Sequence, residues 1–259
     1  MTGIFNLREK VIAITGGYGY LGGAMVEGLL QYEAEVLVLG RTSSKFTNRF
    51  QHLPKQPLFF QTDINDLSSV KESIGLISTR YGKLDVLINN AFSLDKAEVP
   101  DDMPDEIFLS GLTGSLLSAY RLIRESLPLL QKSKNASIIN ISSMYGMVAP
   151  DFSIYESAPE NTNPVHYGVA KAGLLQLTRY LASKFGGQNI RVNSITPGPF
   201  PSPEVQKNVS FINALTQKTV LKRIGSPEDL QGAIIWLSSN ASAFVTGQNI
   251  IVDGGWTII

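Results

Sequence analysis

Tyr167 and Lys171 stand four residues apart in Tyr167-Gly168-Val169-Ala170-Lys171, and on a helix that spacing puts a phenol and an ammonium on one face. The pair has a chemical use. A free tyrosine titrates near ~10, and making it a proton donor and acceptor near neutrality means stabilising its phenolate by ~3 units, about 4 kcal/mol. One fixed cation ~4 Å away in a partly screened site supplies about that much. The same spacing also describes an ordinary amphipathic turn with a solvated lysine. The pair therefore takes its meaning from what surrounds it.

Three neighbouring features supply that context. Lys10-Val11-Ile12-Ala13-Ile14 reads as a buried strand, and it runs into Thr15-Gly16-Gly17-Tyr18-Gly19-Tyr20-Leu21-Gly22 and then a helical pattern. Strand, glycine turn and helix make a dinucleotide-binding unit, with Gly16, Gly19 and Gly22 letting the backbone approach a pyrophosphate at the helix N-terminus. Tyr18, Tyr20 and Leu21 lie within that turn. Ile138-Ile139-Asn140-Ile141-Ser142-Ser143 reads as a strand ending in hydroxyls. The second strand ends in Gly40-Arg41-Thr42: an acidic residue there would hold the ribose 2′-hydroxyl of NAD, whereas an arginine can pair with the 2′-phosphate of NADP. Gly40 in the acidic place, followed by Arg41 and Thr42, favours NADP(H) over NAD(H), although Arg41 also reads as a plain surface residue.

The chain has 259 residues, 43% of them hydrophobic, and a net charge of zero. That size suits one α/β domain over residues 1–259. With a pI near 6.7, nothing basic argues for nucleic acid or a membrane surface, which leaves a small molecule as the expected partner. The absence of cysteine excludes disulfides and thiolate catalysis. Met1 to Glu9 has no long apolar run, which reads as cytoplasmic. The two histidines, His52 and His166, are too few and too far apart in sequence to suggest a metal site.

Hydrophobic runs alternate with helical patterns, which predicts a Rossmann-type doubly wound parallel sheet with helices on both faces, three layers in all. Strands are expected near 10–14, 35–39, 57–61, 84–88, 136–142, 189–195 and 248–252. Helices are expected near 21–32, 67–80, 105–131, 165–186, 203–216 and 227–238. Two proline-rich segments, Ala149 to Pro164 and Pro197 to Pro203, follow strand ends, the side on which open α/β sheets bind ligands.

Taken together, these motifs resemble the short-chain dehydrogenase/reductase family from the first strand to the last glycines. The resemblance implies catalysis by Ser143, Tyr167 and Lys171. Ser143 would orient the substrate oxygen, Tyr167 would act as general acid or base, and Lys171 would lower the tyrosine's pKa while binding the nicotinamide ribose. It further implies that Asp63 and Ile64 contact adenine and that Asn90 and Ala91, after Asn89, line the cofactor, with Phe92 standing where the family's N-N-A-G has glycine. Pro197 and Gly198 would form the turn under the nicotinamide, Phe200 would adjoin it, and Ser202 would meet the carboxamide. Substrate contacts are expected from Ser143, Tyr145 and Tyr167.

Two departures stand out. Gly111-Leu112-Thr113-Gly114 lacks the asparagine of the family's N-L-x-G stretch, which leaves the proton relay without its usual member. Ser143 and Tyr167 are also about twice as far apart as in compact members, so residues 144–166 read as an inserted active-site loop. That loop and the first glycine pattern resemble the extended, sugar-nucleotide branch. Ser226-Pro227-Glu228-Asp229-Leu230, Phe244-Val245-Thr246-Gly247 and Val252-Asp253-Gly254-Gly255 resemble the compact one. Residues 197–221, with Val205, Val209, Ile212 and Leu215 near helical spacing, read as a substrate lid. The expected activity is hydride transfer between NADP(H) and a carbonyl or alcohol carbon of a small polar, sugar-like substrate. The rival readings are a nucleotide-sugar epimerase or dehydratase that retains its cofactor, and a non-catalytic cofactor-binding regulator. The family further implies a homotetramer or homodimer, for which the apolar end Trp256 to Ile259 suits either a subunit contact or the domain's own core.

Overall fold

A computed structural model describes residues 3–93 and 103–259. Met1 and Thr2, part of the leader reading above, fall outside them, as do residues 94–102. Seven parallel strands form one sheet in the order β3-β2-β1-β4-β5-β6-β7: β1 Val11–Thr15, β2 Glu35–Gly40, β3 Leu58–Gln61, β4 Val86–Asn89, β5 Ala136–Ile141, β6 Ile190–Pro197 and β7 Asn249–Val252. The order reverses between β1 and β4, and in such sheets a crevice opens there beyond the strands' carboxyl ends.

Both faces of the sheet are covered, so the central strands are buried on both sides, with unbroken apolar runs at Val11–Ile14 and Val86–Ile88 instead of an alternation with exposed polar residues. Along β1, Ile12 and Ile14 pack toward α1 (Tyr20–Gln31) and α8 (Gln231–Ser238). Val11 and Ala13 pack toward α3 (Leu67–Tyr81), α5 (Ser118–Leu130) and α6 (Val165–Phe185). One element was not anticipated: α2, Ser43–Phe50, is polar except for Phe46 and Phe50, which it buries in the first core. Two apolar side chains in eight residues are too few to show a helical period.

The long helix expected over 105–131 is present as α4 (Asp105–Leu112), one π turn (Thr113–Leu117) and α5. The loop 144–166 consists of three short 3₁₀ turns, Met144–Gly146, Phe152–Tyr155 and Pro159–Asn161, leading into α6. The helix expected over 203–216 starts later, as a 3₁₀ turn Val205–Lys207 and then α7 (Val209–Lys218). Its buried residues are Phe211 and Leu215, while Val209 points outward at 68% exposure. Of the four spaced residues, Leu215 is buried and Val205 and Ile212 pack partly buried against the same cluster, while Val209, where the helix begins, faces solvent. Trp256 tucks into the domain's own core beneath α7, whereas Ile258 and Ile259 are exposed. Among the described residues no helix is long and apolar enough to cross a membrane.

Candidate active site

At the switch point a cleft of about 540 Å³ runs from the glycine turn to the ends of β5 and β6. Gly16 has φ +63°, a conformation that costs glycine little. A Cβ on Gly22 would lie 2.3 Å from the Gly16 carbonyl oxygen, so only glycine lets α1 start this close to the strand. The result is a cradle with backbone N–H groups at a helix N-terminus, the donor arrangement that suits a pyrophosphate.

All the expected cofactor residues line this cleft except Thr42. Several are also committed to holding the turn. Asn90 Nδ2 donates to the Thr15 carbonyl at 2.9 Å, and the backbone N–H groups of Asn90 and Ala91 donate to Thr15 Oγ1 at 3.0 and 2.9 Å. Asn90 therefore ties β4 to the end of β1 as well as facing the cleft. The Asp63 carboxylate accepts the Asn65 N–H at 2.9 Å, an Asx turn that shapes its own loop.

At the end of β2 the Tyr18 hydroxyl accepts the N–H groups of Arg41 and Thr42 at 3.1 and 3.2 Å. The Tyr18 ring lies against Gly40, where a Cβ would fall 2.3 Å from Cε1. No acidic side chain can stand at position 40 while Tyr18 holds this place. Thr42 is drawn out of the cleft as the residue before α2.

At the other end Ser143, Tyr167 and Lys171 come together on the cleft wall. Lys171 is 2% exposed, and its Nζ donates to the Ile141 carbonyl at 2.8 Å. Ser142 Oγ donates to the Lys171 carbonyl at 3.0 Å, so the end of β5 grips α6 from both sides. Ser143 Oγ accepts the Tyr145 N–H at 3.2 Å. Phe92, at the family's glycine position, meets Tyr167 edge-on with ring centroids 5.6 Å apart. Lys171 Nζ sits 5.4 Å from the Phe92 ring centre and 5.5 Å from that of Tyr167. Phe92 is thus a site residue that sequence reasoning noted only as an exception. Its replacement of glycine beside the cofactor strands was the available signal.

The electrostatics of the protein alone differ from the sequence expectation. Burial pushes Tyr167 up, and hydrogen bonding to Ser143 only partly offsets this. Burial also holds Lys171 down, to about 8. The cation meant to lower the phenol is itself disfavoured by burial and is aimed at the Ile141 carbonyl, so it leaves Tyr167 high.

Gly111 acquires a physical reason here. The ring of His166, fully buried on α6, lies where a side chain would grow, 1.8 Å from a Cβ placed at position 111. The asparagine of the resembled family has no room there, because His166 fills its place.

A family model described as enoyl-(acyl carrier protein) reductase matches residues 20–257. The chain belongs to the short-chain dehydrogenase/reductase family. The family's members are oxidoreductases that use NAD(P) on CH–OH and carbonyl groups. A tropinone reductase homolog of Arabidopsis thaliana is 30% identical over 98% of this chain and 94% of its own length. A short-chain dehydrogenase from Leptospira borgpetersenii with bound NAD⁺ has TM-score 0.82 and 31% identity, covering 99% of this chain and 96% of that one. The NADPH-dependent 3-quinuclidinone reductase of Rhodotorula rubra has TM-score 0.85 and 26% identity, covering 99% and 94%. Within the family frame, the glycine cradle and the cleft fit a nicotinamide dinucleotide, which the residues lining the cleft would hold.

Two outcomes follow. Lys171 falls from its usual 10.5 to about 8, so between those values the unfolded chain binds a proton that the folded one does not, and stability rises with pH. From pH 8 to 10 the unfolding free energy of the wild type should gain roughly 2 kcal/mol relative to Lys171→Met, read by urea titration; parallel curves would contradict it. Gly111→Asn should destabilise by roughly 2–3 kcal/mol through overpacking, with partial recovery in Gly111→Asn/His166→Ala. A neutral Gly111→Asn would show that the histidine yields freely.

Proposed function

We propose that this protein is an NADP(H)-dependent carbonyl reductase, or the alcohol dehydrogenase of the reverse reaction, acting on a small polar substrate of sugar-like character. The observation that carries the proposal is the meeting of Ser143, Tyr167 and Lys171 at one end of the cleft that the glycine turn opens at the other. The dinucleotide, when bound, supplies or takes up the hydride. Ser143 orients and polarises the substrate oxygen. Tyr167, neutral because burial raises its pKa, presents an O–H and gives its proton to that oxygen during reduction. Lys171 would hold the ribose and, as an ammonium one helical turn from Tyr167, would stabilise the phenolate that Tyr167 becomes.

Cofactor choice rests on Gly40 and Arg41. The Tyr18 ring bars a carboxylate from the place that would read a ribose 2′-hydroxyl, and Arg41 adjoins that place on the cleft. Relatives do not favour one cofactor: the Rhodotorula enzyme takes NADPH and the Leptospira structure holds NAD⁺. Fluorescence titration should show NADPH binding at least tenfold more tightly than NADH, with Arg41→Asp removing the difference. Equal binding would refute the preference. Tyr167→Phe should lose at least a hundredfold in kcat while binding cofactor as before.

An apolar stripe on α4, the π turn, α5 and α6 supports self-association. Leu109, Leu117, Tyr120, Val169 and Tyr180 are exposed there by 37 to 61%. Light scattering should give a dimer or tetramer, and Leu109→Lys/Tyr180→Lys a smaller species; a wild-type monomer at micromolar concentration would refute it.

A further inference from the structure

Tyr145 and Tyr155 are 8% and 6% exposed, and their hydroxyls hydrogen-bond each other. Two phenols carry two O–H donors, and their mutual bond uses one. The other has no acceptor among the described residues. A buried donor left unmade costs roughly 1–3 kcal/mol, so the site calls for an oxygen from outside the protein.

Position says which oxygen. Tyr145 follows Ser143 by two residues and donates its N–H to the Ser143 hydroxyl at 3.2 Å. Its carbonyl lies 3.0 Å from where a Cβ on Gly168 would stand, directly beside Tyr167. Tyr155 comes from the inserted loop and packs its ring 5.5 Å from that of Phe211 on the lid. The pair therefore sits between the catalytic serine and the lid.

The surroundings say what kind of oxygen. Met144, Ile154, Phe211, Leu215 and Trp256 pack around the pair. The nearby cation Lys218 is already held by Asp151 at 2.5 Å. Burial raises the pKa of both phenols, so both remain neutral donors. An apolar wall with one spare neutral O–H suits an uncharged acceptor and penalises a carboxylate.

We propose that the Tyr145–Tyr155 hydroxyl pair is a specificity determinant that binds a second, uncharged oxygen of the substrate, selecting hydroxyketones over simple ketones. This rests on the reductase reading above and narrows its substrate class. A site built to satisfy a polar group disfavours analogues lacking it.

The test compares 2-hydroxycyclohexanone with cyclohexanone as substrates for reduction by NADPH, in the wild type, Tyr145→Phe, Tyr155→Phe and the double variant. The wild type should favour the hydroxyketone at least tenfold in kcat/KM. The double variant should bring that ratio below threefold, and the single variants show which phenol carries the spare proton. Thermal midpoints and NADPH titration check folding, and should the double variant fail them, a ratio held in both folded single variants overturns the proposal. So does a ratio unchanged in a folded double variant, or a wild type that reduces both ketones equally or neither. Failure of the reductase reading looks different: neither NADPH nor NADH binds.

Discussion

The buried hydrogen bond from the Lys171 ammonium to the Ile141 carbonyl is the constraint on which the rest of the site depends. With the return bond from Ser142 to the Lys171 carbonyl, it sets α6 against the end of β5 in one register. A slide of α6 along the strand would leave a buried cation without an acceptor, which is far costlier than losing an ordinary contact. Tyr167 sits one turn before Lys171, so the same lock holds the phenol over Ser143. It also explains Gly146, whose Cβ would meet the Lys171 backbone at 2.8 Å. The charge has a second neighbour in the Phe92 ring, which faces it without hydrating it.

Much of the architecture was legible because parallel strands covered on both faces leave unbroken apolar runs. All seven strands fell within about two residues of their expected places, and β1 through the glycine turn to α1 was readable as a unit. What escaped has identifiable causes. In α2 two phenylalanines carry the burial, and a period cannot be drawn through two points. In residues 203–221, Val205, Val209, Ile212 and Leu215 fitted a helical spacing, but the helix starts at Val209, which faces solvent, and buries Phe211 beside Leu215.

At the site, residue types were legible and their second duties were not. Asn90 and Asp63 were expected to face a nucleotide. They also hold the loops that face it, through bonds to Thr15 and Asn65 respectively. Gly111 looked like the loss of a relay residue. With the ring of His166 filling that space it is half of an exchange between two helices, and one chain position read alone shows only the missing half. Gly40 is similar: it looked like an absent acid, and its reason is the Tyr18 ring more than twenty positions earlier. The pKa balance at Tyr167 was beyond sequence altogether, because it depends on where a lysine nitrogen points.

Residues 144–161 and 205–218 share a single apolar core, in which Ile154, Tyr155 and Ala158 meet Phe211 and Leu215 over Trp256. Their rims are joined as well, by Lys218 to Asp151 at 2.5 Å and by Asn208 to the Ser157 carbonyl at 3.4 Å. Neither segment can be exchanged without leaving a void or a clash against the other. Residues 144–161 and 205–218, though far apart in sequence, therefore behave as one heritable cassette. A transplant of either segment must bring the other with it, leaving the glycine cradle and the β5–α6 lock in place.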